Sequence, residues 1–116
     1  MKIESKAKLL RIFLGDSDKI HHKPLYEIIL EEAKKYDLAG ATVFKGVMSY
    51  GPTSRIHKAK LLALSTDLPI IIEIADYQDN INDFLPILDD LFEKSDCGGL
   101  ITIEDVEIIK YTHKKG

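Results

Sequence analysis

Between Gly40 and Asp76 the chain gathers most of the residues that could do chemistry: Lys45, Gly46, Ser49, Gly51, Thr53, Ser54, Arg55, His57, Lys58 and Lys60. Glycine at 46 and 51 permits positive φ and lets backbone N–H groups approach a ligand closely. Successive N–H groups in such turns form concavities that bind anions, and Lys45 and Arg55 add positive charge. The chemistry this composition supports is recognition of an anion. A solvated basic hairpin tip has the same composition, and spacing alone does not separate the two. Length favours a binding role, since neighbouring strands in compact domains usually connect in about two to five residues.

Other candidates carry less. Gly98-Gly99 reads as a plain turn or as a second ligand-facing backbone loop. His21 and His22 are adjacent, without the one-faced helical spacing of a metal pair, and His113 stands alone. With Cys97 as the sole cysteine, no zinc cluster assembles from sequence. His57 differs from the other histidines because it lies within the basic loop. Asp16 and Asp18, close to His21, could bind a cation or orient the helix start, but read more readily as turn formers ahead of Pro24. No Ser-His-Asp arrangement is arguable, and the phosphate-loop and dinucleotide glycine patterns are absent. Met48 and Tyr50 could pack on a base, or equally fill a core. Nothing in these residues calls for an enzyme.

The elements that must position them follow from periodicity. Leu9–Leu14 alternates as a strand, with Leu10, Ile12 and Leu14 on one side and Leu9, Arg11 and Phe13 on the other. After the polar stretch GDSDKIHHK, Pro24 suits a first helical turn. Leu25, Ile28, Ile29, Ala33 and Tyr36 then recur at helical spacing, to an end near Asp37, with Gly40 turning the chain. Ala41–Met48 and Leu68–Ala75 read as strands, the second rich in β-branched residues. A second amphipathic helix is expected over Tyr77–Lys94. Pro86 objects to it, and a start near Asp83 or a kink would answer the objection. Leu100–Ile103 is a short strand and Val106–Tyr111 the last one.

That order is the split βαβ pattern of an α+β ferredoxin-like fold, with an antiparallel sheet and both helices on one face. On these registers the other face alternates Leu9, Phe13, Ile71 and Ile109 with Arg11, Lys45 and Glu73. Burial against identical subunits, with Arg11 and Glu73 paired, accounts for such a mixed surface.

Bulk properties set the bounds. The 116 residues are expected to form one domain, with residues 1–7 and 113–116 loose and no internal repeat. The chain is 45% hydrophobic and 30% charged with a net charge of -3, so phosphate binding has to be local and nucleic acid is not the expected partner. One cysteine excludes an internal disulfide and fits a reducing compartment. The first residues carry too short an apolar run for a signal peptide, and no stretch reaches the roughly 20 apolar residues that span a bilayer. A cytoplasmic location is expected.

The segments GDSDKIHHKPLYEIILEEA, GATVFKGVMSYGPTSRIHKAKLLALSTDLPIIIEIAD and GGLITIEDVEIIKY together resemble the PII-like signalling proteins, in particular their branch catalogued as a domain of unknown function. The resemblance spans about residues 8 to 112, in order and spacing. It implies a homotrimer with sheets facing the threefold axis and an adenine nucleotide (AMP, ADP or ATP) held in clefts between neighbouring subunits. By the same resemblance, the nucleotide-binding residues are Lys45, Gly46, Val47, Tyr50 and Gly51 at the base of the loop and Gly98, Gly99, Leu100 and Ile101 at the glycine turn. Arg55 and His57 join them from the loop itself. The ligand would order or release residues 52–64 and so signal to a membrane transporter or a metabolic enzyme.

The chain departs from the true PII pattern in its loop sequence and in carrying Cys-Gly-Gly at the late turn, which separates it from triphosphate preference, 2-oxoglutarate sensing and covalent modification. Two alternatives stand beside this reading. One is a small nucleotide-processing enzyme using His57 and Arg55. The other is a metal-responsive trimer of the copper-tolerance type. An RNA-binding module of the same topology needs aromatic platforms on the central strands, where Phe13 is the lone aromatic.

Overall fold

The computed structural model describes residues 6–50, 56–58 and 68–112. In chain order these form β1 (Ala7–Gly15), β2 (Lys19–Ile20), β3 (Lys23–Pro24), α1 (Leu25–Lys35), β4 (Thr42–Lys45), β5 (Met48–Tyr50), β6 (Ile56–Lys58), β7 (Pro69–Tyr77), α2 (Gln78–Ser95) and β8 (Leu100–Val106). Strands β4, β7, β1 and β8 lie side by side in that order as one antiparallel sheet. The fold is the expected α+β ferredoxin-like arrangement.

Strand alternation decides what the sheet buries. Leu10, Ile12 and Leu14 of β1 and Ile70, Ile72 and Ile74 of β7 all point to one face and are buried there. Against them pack Leu25, Ile29 and Ala33 of α1 and Ile81, Phe84, Leu88 and Leu91 of α2. Each large apolar side chain so buried contributes about 1.5–3 kcal/mol. β1 and β7, the two longest strands at nine residues each, form the centre, paired without interruption from Ala7↔Tyr77 to Gly15↔Pro69.

Several boundaries fall elsewhere than periodicity places them. The last strand is Leu100–Val106, not Val106–Tyr111. Ala7, the first residue of β1, already stands opposite Val106, so residues 107–112 run past the end of their neighbour strand. The strand expected over Ala41–Met48 breaks after Lys45, and the chain restarts as β5, which pairs with β6 through Met48↔Lys58, Ser49↔His57 and Tyr50↔Ile56. The stretch read as a polar loop before α1 contains the two-stranded β2–β3 hairpin.

Helix ends show similar corrections. α1 ends in a Schellman motif in which Asp37, at φ 60°, takes the left-handed position expected of a glycine, with Leu38 N–H donating to Ala33 O at 3.0 Å. Gly40 is not the turning residue. α2 runs unbroken from Gln78 through Pro86. Pro86 and Asn82, whose carbonyl loses its usual donor, both lie on the exposed side, where water can replace the missing bond.

The face away from the helices is mixed. Register places Leu9, Arg11, Phe13, Ile71, Glu73, Thr42 and Phe44 on it. Lys45 is opposite buried Ile70 and therefore projects to the helix side, and Ile109 lies outside the sheet, 80% exposed. Both corrections remove residues from the face as periodicity drew it. Arg11 donates to Glu73 at 2.8 Å and also pairs with Glu104. The hydrogen bond to Glu73 heads the causes that hold its guanidinium above the ordinary arginine range.

Candidate functional site

Among the described residues, the candidates Lys45–Val47 and Gly98–Ile101 form two groups at the same end of the sheet. Lys45, Gly46 and Val47 leave the end of β4 and lead into β5. Gly98, Gly99, Leu100 and Ile101 enter β8. Because β7 and β1 lie between, the two groups are separated by three strand spacings, about 14 Å. One chain therefore does not bring them together. Among the described residues, the outer edges of β4 and β8 have no strand partner.

Lys45 is half-exposed, and its Nζ lies 2.9 Å from Asp16 Oδ2, in the turn after β1. That hydrogen bond, and the charge of Asp16 behind it, hold the ammonium above the usual lysine range. Gly46 donates its N–H to Pro69 O at 2.8 Å, so this backbone donor is already committed to the scaffold. A Cβ on Gly46 would sit 2.5 Å from Pro69 Cγ. Val47 is 73% exposed. Tyr50 ends β5, and His57 is in β6 rather than in a loop, opposite Ser49. Gly51 and Arg55 lie outside the described residues, as does most of the 52–64 segment.

At the other edge, glycine is required for packing at one position and not at its neighbour. A Cβ on Gly99 would meet Phe92 Cε1 at 2.5 Å and the carbonyl oxygen of Phe13 at 2.9 Å, whereas one on Gly98 would meet nothing within 4 Å. The left-handed turn that closes α2 falls on Asp96, at φ 54°, not on either glycine. Leu100, opposite Phe13, and Ile101, opposite Ile12, are 55% and 37% exposed. Valine at 46 or 99 would strike scaffold atoms, so those changes test packing before they test binding.

The opposite end of the sheet carries features that sequence reading passed over. Asp76 is 4% exposed and accepts from Ala39 N–H at 2.8 Å, Tyr77 N–H at 2.6 Å and Asn80 Nδ2 at 2.9 Å. It ties the α1–β4 connection to the start of α2. Past β8, residues 107–111 run to this end, where Tyr111 Oη donates to Ala39 O at 2.6 Å. Together they border an open cavity of about 1020 Å³ against Leu9, Glu73 and Ala75. None of the residues proposed from sequence lines it. The available signal was an Asp closing an apolar strand with Asn four residues on.

In the sequence Asp16 reads foremost as a turn former. Its neighbour Asp18 fits that reading, accepting from Gly15 N–H at 2.8 Å. Asp16 does more, because the register brings it to Lys45. Among the described residues, no three His, Cys, Asp or Glu side chains converge as a metal site. No helix among them is long and apolar enough to cross a membrane.

Comparison with known proteins agrees with this fold. Residues 7–108 match DUF190, described as an uncharacterized ACR, and the chain belongs to that family. The UPF0166 protein of Aquifex aeolicus is 44% identical over 104 residues, covering 90% of this chain and 94% of the relative. Among solved structures, CPII, a nitrogen regulatory PII-like protein from Thiomonas intermedia K12 bound to ADP, AMP and bicarbonate, superposes with a TM-score of 0.68 at 18% identity, over 90% of each chain. The divalent ion tolerance protein CutA1 of Ehrlichia chaffeensis is also similar, with a TM-score of 0.59 at 12% identity, over 93% of this chain and 88% of its own. The fold is PII-like.

Proposed function

We propose that this DUF190 member is a PII-like regulatory protein that binds an adenine nucleotide, AMP, ADP or ATP, between subunits of a homotrimer. The observation that carries the reading is the placement of its two glycine-bearing segments: one end of the sheet, on opposite edges, neither edge having a strand partner among the described residues. A neighbouring copy that set its β8 beside this chain's β4 would bring Gly98–Ile101 of one subunit to Lys45–Val47 of the next. The mixed face, with Arg11 paired to Glu73 among Leu9, Phe13 and Ile71, suits burial in the same assembly. The ADP and AMP held by CPII, which shares the fold, support the ligand class.

Binding at the base of the β5–β6 pair would act as a population shift. A nucleotide with higher affinity for one arrangement of the segment after Gly46 biases it toward or away from a partner protein. No turnover is required, and nucleotides incubated with the protein should be recovered intact by chromatography. The test is isothermal titration with AMP, ADP and ATP, alongside sedimentation of the full chain. Saturable binding by a trimer is expected, and Ile103→Glu on the exposed strand should abolish assembly and binding together. A trimer that binds none of the three at millimolar concentration overturns the reading. Heat from divalent cations alone would instead favour the metal-responsive alternative.

A further inference from the structure

Lys45, a cation of the proposed nucleotide site, does not stand alone: Asp16 Oδ2 lies 2.9 Å from its Nζ. Asp16 is also anchored. Its backbone N–H donates to Leu68 O at 2.8 Å, across the ends of β1 and β7, and Gly15 beside it is held by the Asp18 carboxylate. The Asp16 side chain is 26% exposed against 53% for Lys45, so the carboxylate is the more enclosed member of the pair. A phosphate oxygen that reached the ammonium would therefore sit within a few ångströms of a fixed negative group.

We propose that Asp16 is a selectivity residue, a built-in carboxylate that makes this site favour the nucleotide with the fewest negative charges over free polyphosphates. The inference rests on the reading of Lys45 as a phosphate-binding residue. The physical reason is Coulombic. Attraction to Lys45 and repulsion from Asp16 nearly cancel at a shared distance, and each added phosphoryl group brings more negative charge toward the carboxylate. The energy of one such exposed carboxylate is modest, so the effect is a graded preference and not an exclusion.

The test compares affinities for AMP, ADP and ATP in the full chain, Asp16→Asn and Lys45→Met, each measured in EDTA and again with Mg²⁺. In EDTA, Asp16→Asn should tighten ATP binding by about fivefold and AMP binding by less than about twofold. Asp16→Ser serves as a second variant, and thermal melts establish that each variant is folded. An ATP-to-AMP affinity ratio that both Asp16 variants leave unchanged overturns the proposal. So does ATP binding that requires Mg²⁺ and disappears in Asp16→Asn, since Asp16 would then be a metal partner. If Lys45→Met leaves all three affinities unchanged, or nothing binds to any variant, the nucleotide reading at Lys45 has failed and this inference with it.

Discussion

At one end of the sheet Asp76 is buried with its donors in place, whereas at the Lys45–Gly99 end Lys45 is half-exposed and held by its ion pair with Asp16. Asp76 has three donors and 4% exposure, and it cannot change partners without breaking the α1–β4 connection. Lys45 and Asp16 form a surface ion pair, worth little to folding and open to exchange with a ligand. The first end is built to hold, and the second is the end at which we propose binding. A carboxylate in a cavity is thus no better a functional marker than one in a turn. What separates them is whether the surrounding donors already use it.

Substitutions can break that contrast. The largest effect should come from Asp76→Ala, which strands two backbone N–H groups and the Asn80 amide. About 3 kcal/mol of unfolding free energy should be lost in urea titration, with nucleotide affinity of the folded protein unchanged. An equal loss of affinity would mean the two ends are coupled. Next comes Gly99→Ala, where the new methyl meets Phe92 and the Phe13 carbonyl. It should destabilise by about 2 kcal/mol, while Gly98→Ala stays within about 0.5 kcal/mol. If Gly98→Ala nevertheless weakens nucleotide binding, that glycine serves the ligand and the contrast is sharpened.

Tyr111→Phe removes the donor to Ala39 O and should lower stability by about 1 kcal/mol or less, with faster amide exchange in residues 107–111. The smallest effect concerns pH. Lys8 holds the Asp105 carboxyl below the ordinary carboxylate range through a hydrogen bond and its charge. A lowered folded pKa means the pair contributes above the unfolded value and is lost as pH falls through the folded one. The difference in Tm between the native chain and Lys8→Met should therefore be small at pH 7 and fade as pH falls through the lowered Asp105 pKa, below the ordinary carboxylate range.

Much of the fold was legible because it follows from alternation. Leu10, Ile12 and Leu14 against Leu9, Arg11 and Phe13 gave the two faces of β1, and the Arg11–Glu73 pair followed from the same pattern. The failures share a cause, which is that periodicity carries no information about where a partner ends. Val106–Tyr111 alternates like a strand, yet the described pairing of β8 with β1 ends at Ala7↔Val106. Lys45 was set on the wrong face because the strand carrying it was read without its register against Ile70. For the site, Gly46 and Gly99 were singled out as ligand-facing, but their closest demands come from Pro69 and Phe92.

The sequence by itself determined the two helices, the runs that become the four strands of the main sheet, their order and the family, since hydrophobic period and local turn chemistry act within a few residues of one another. Tertiary structure alone decided which distant residues meet. It set Lys45 against Asp16, committed the Gly46 N–H to Pro69, enclosed Asp76, and put Lys45–Val47 and Gly98–Ile101 at one end of the sheet on opposite edges. Those relations depend on strand order and register, which pair Asp16 with Lys45 across 29 positions and Gly46 with Pro69 across 23, and leave no local trace in the chain.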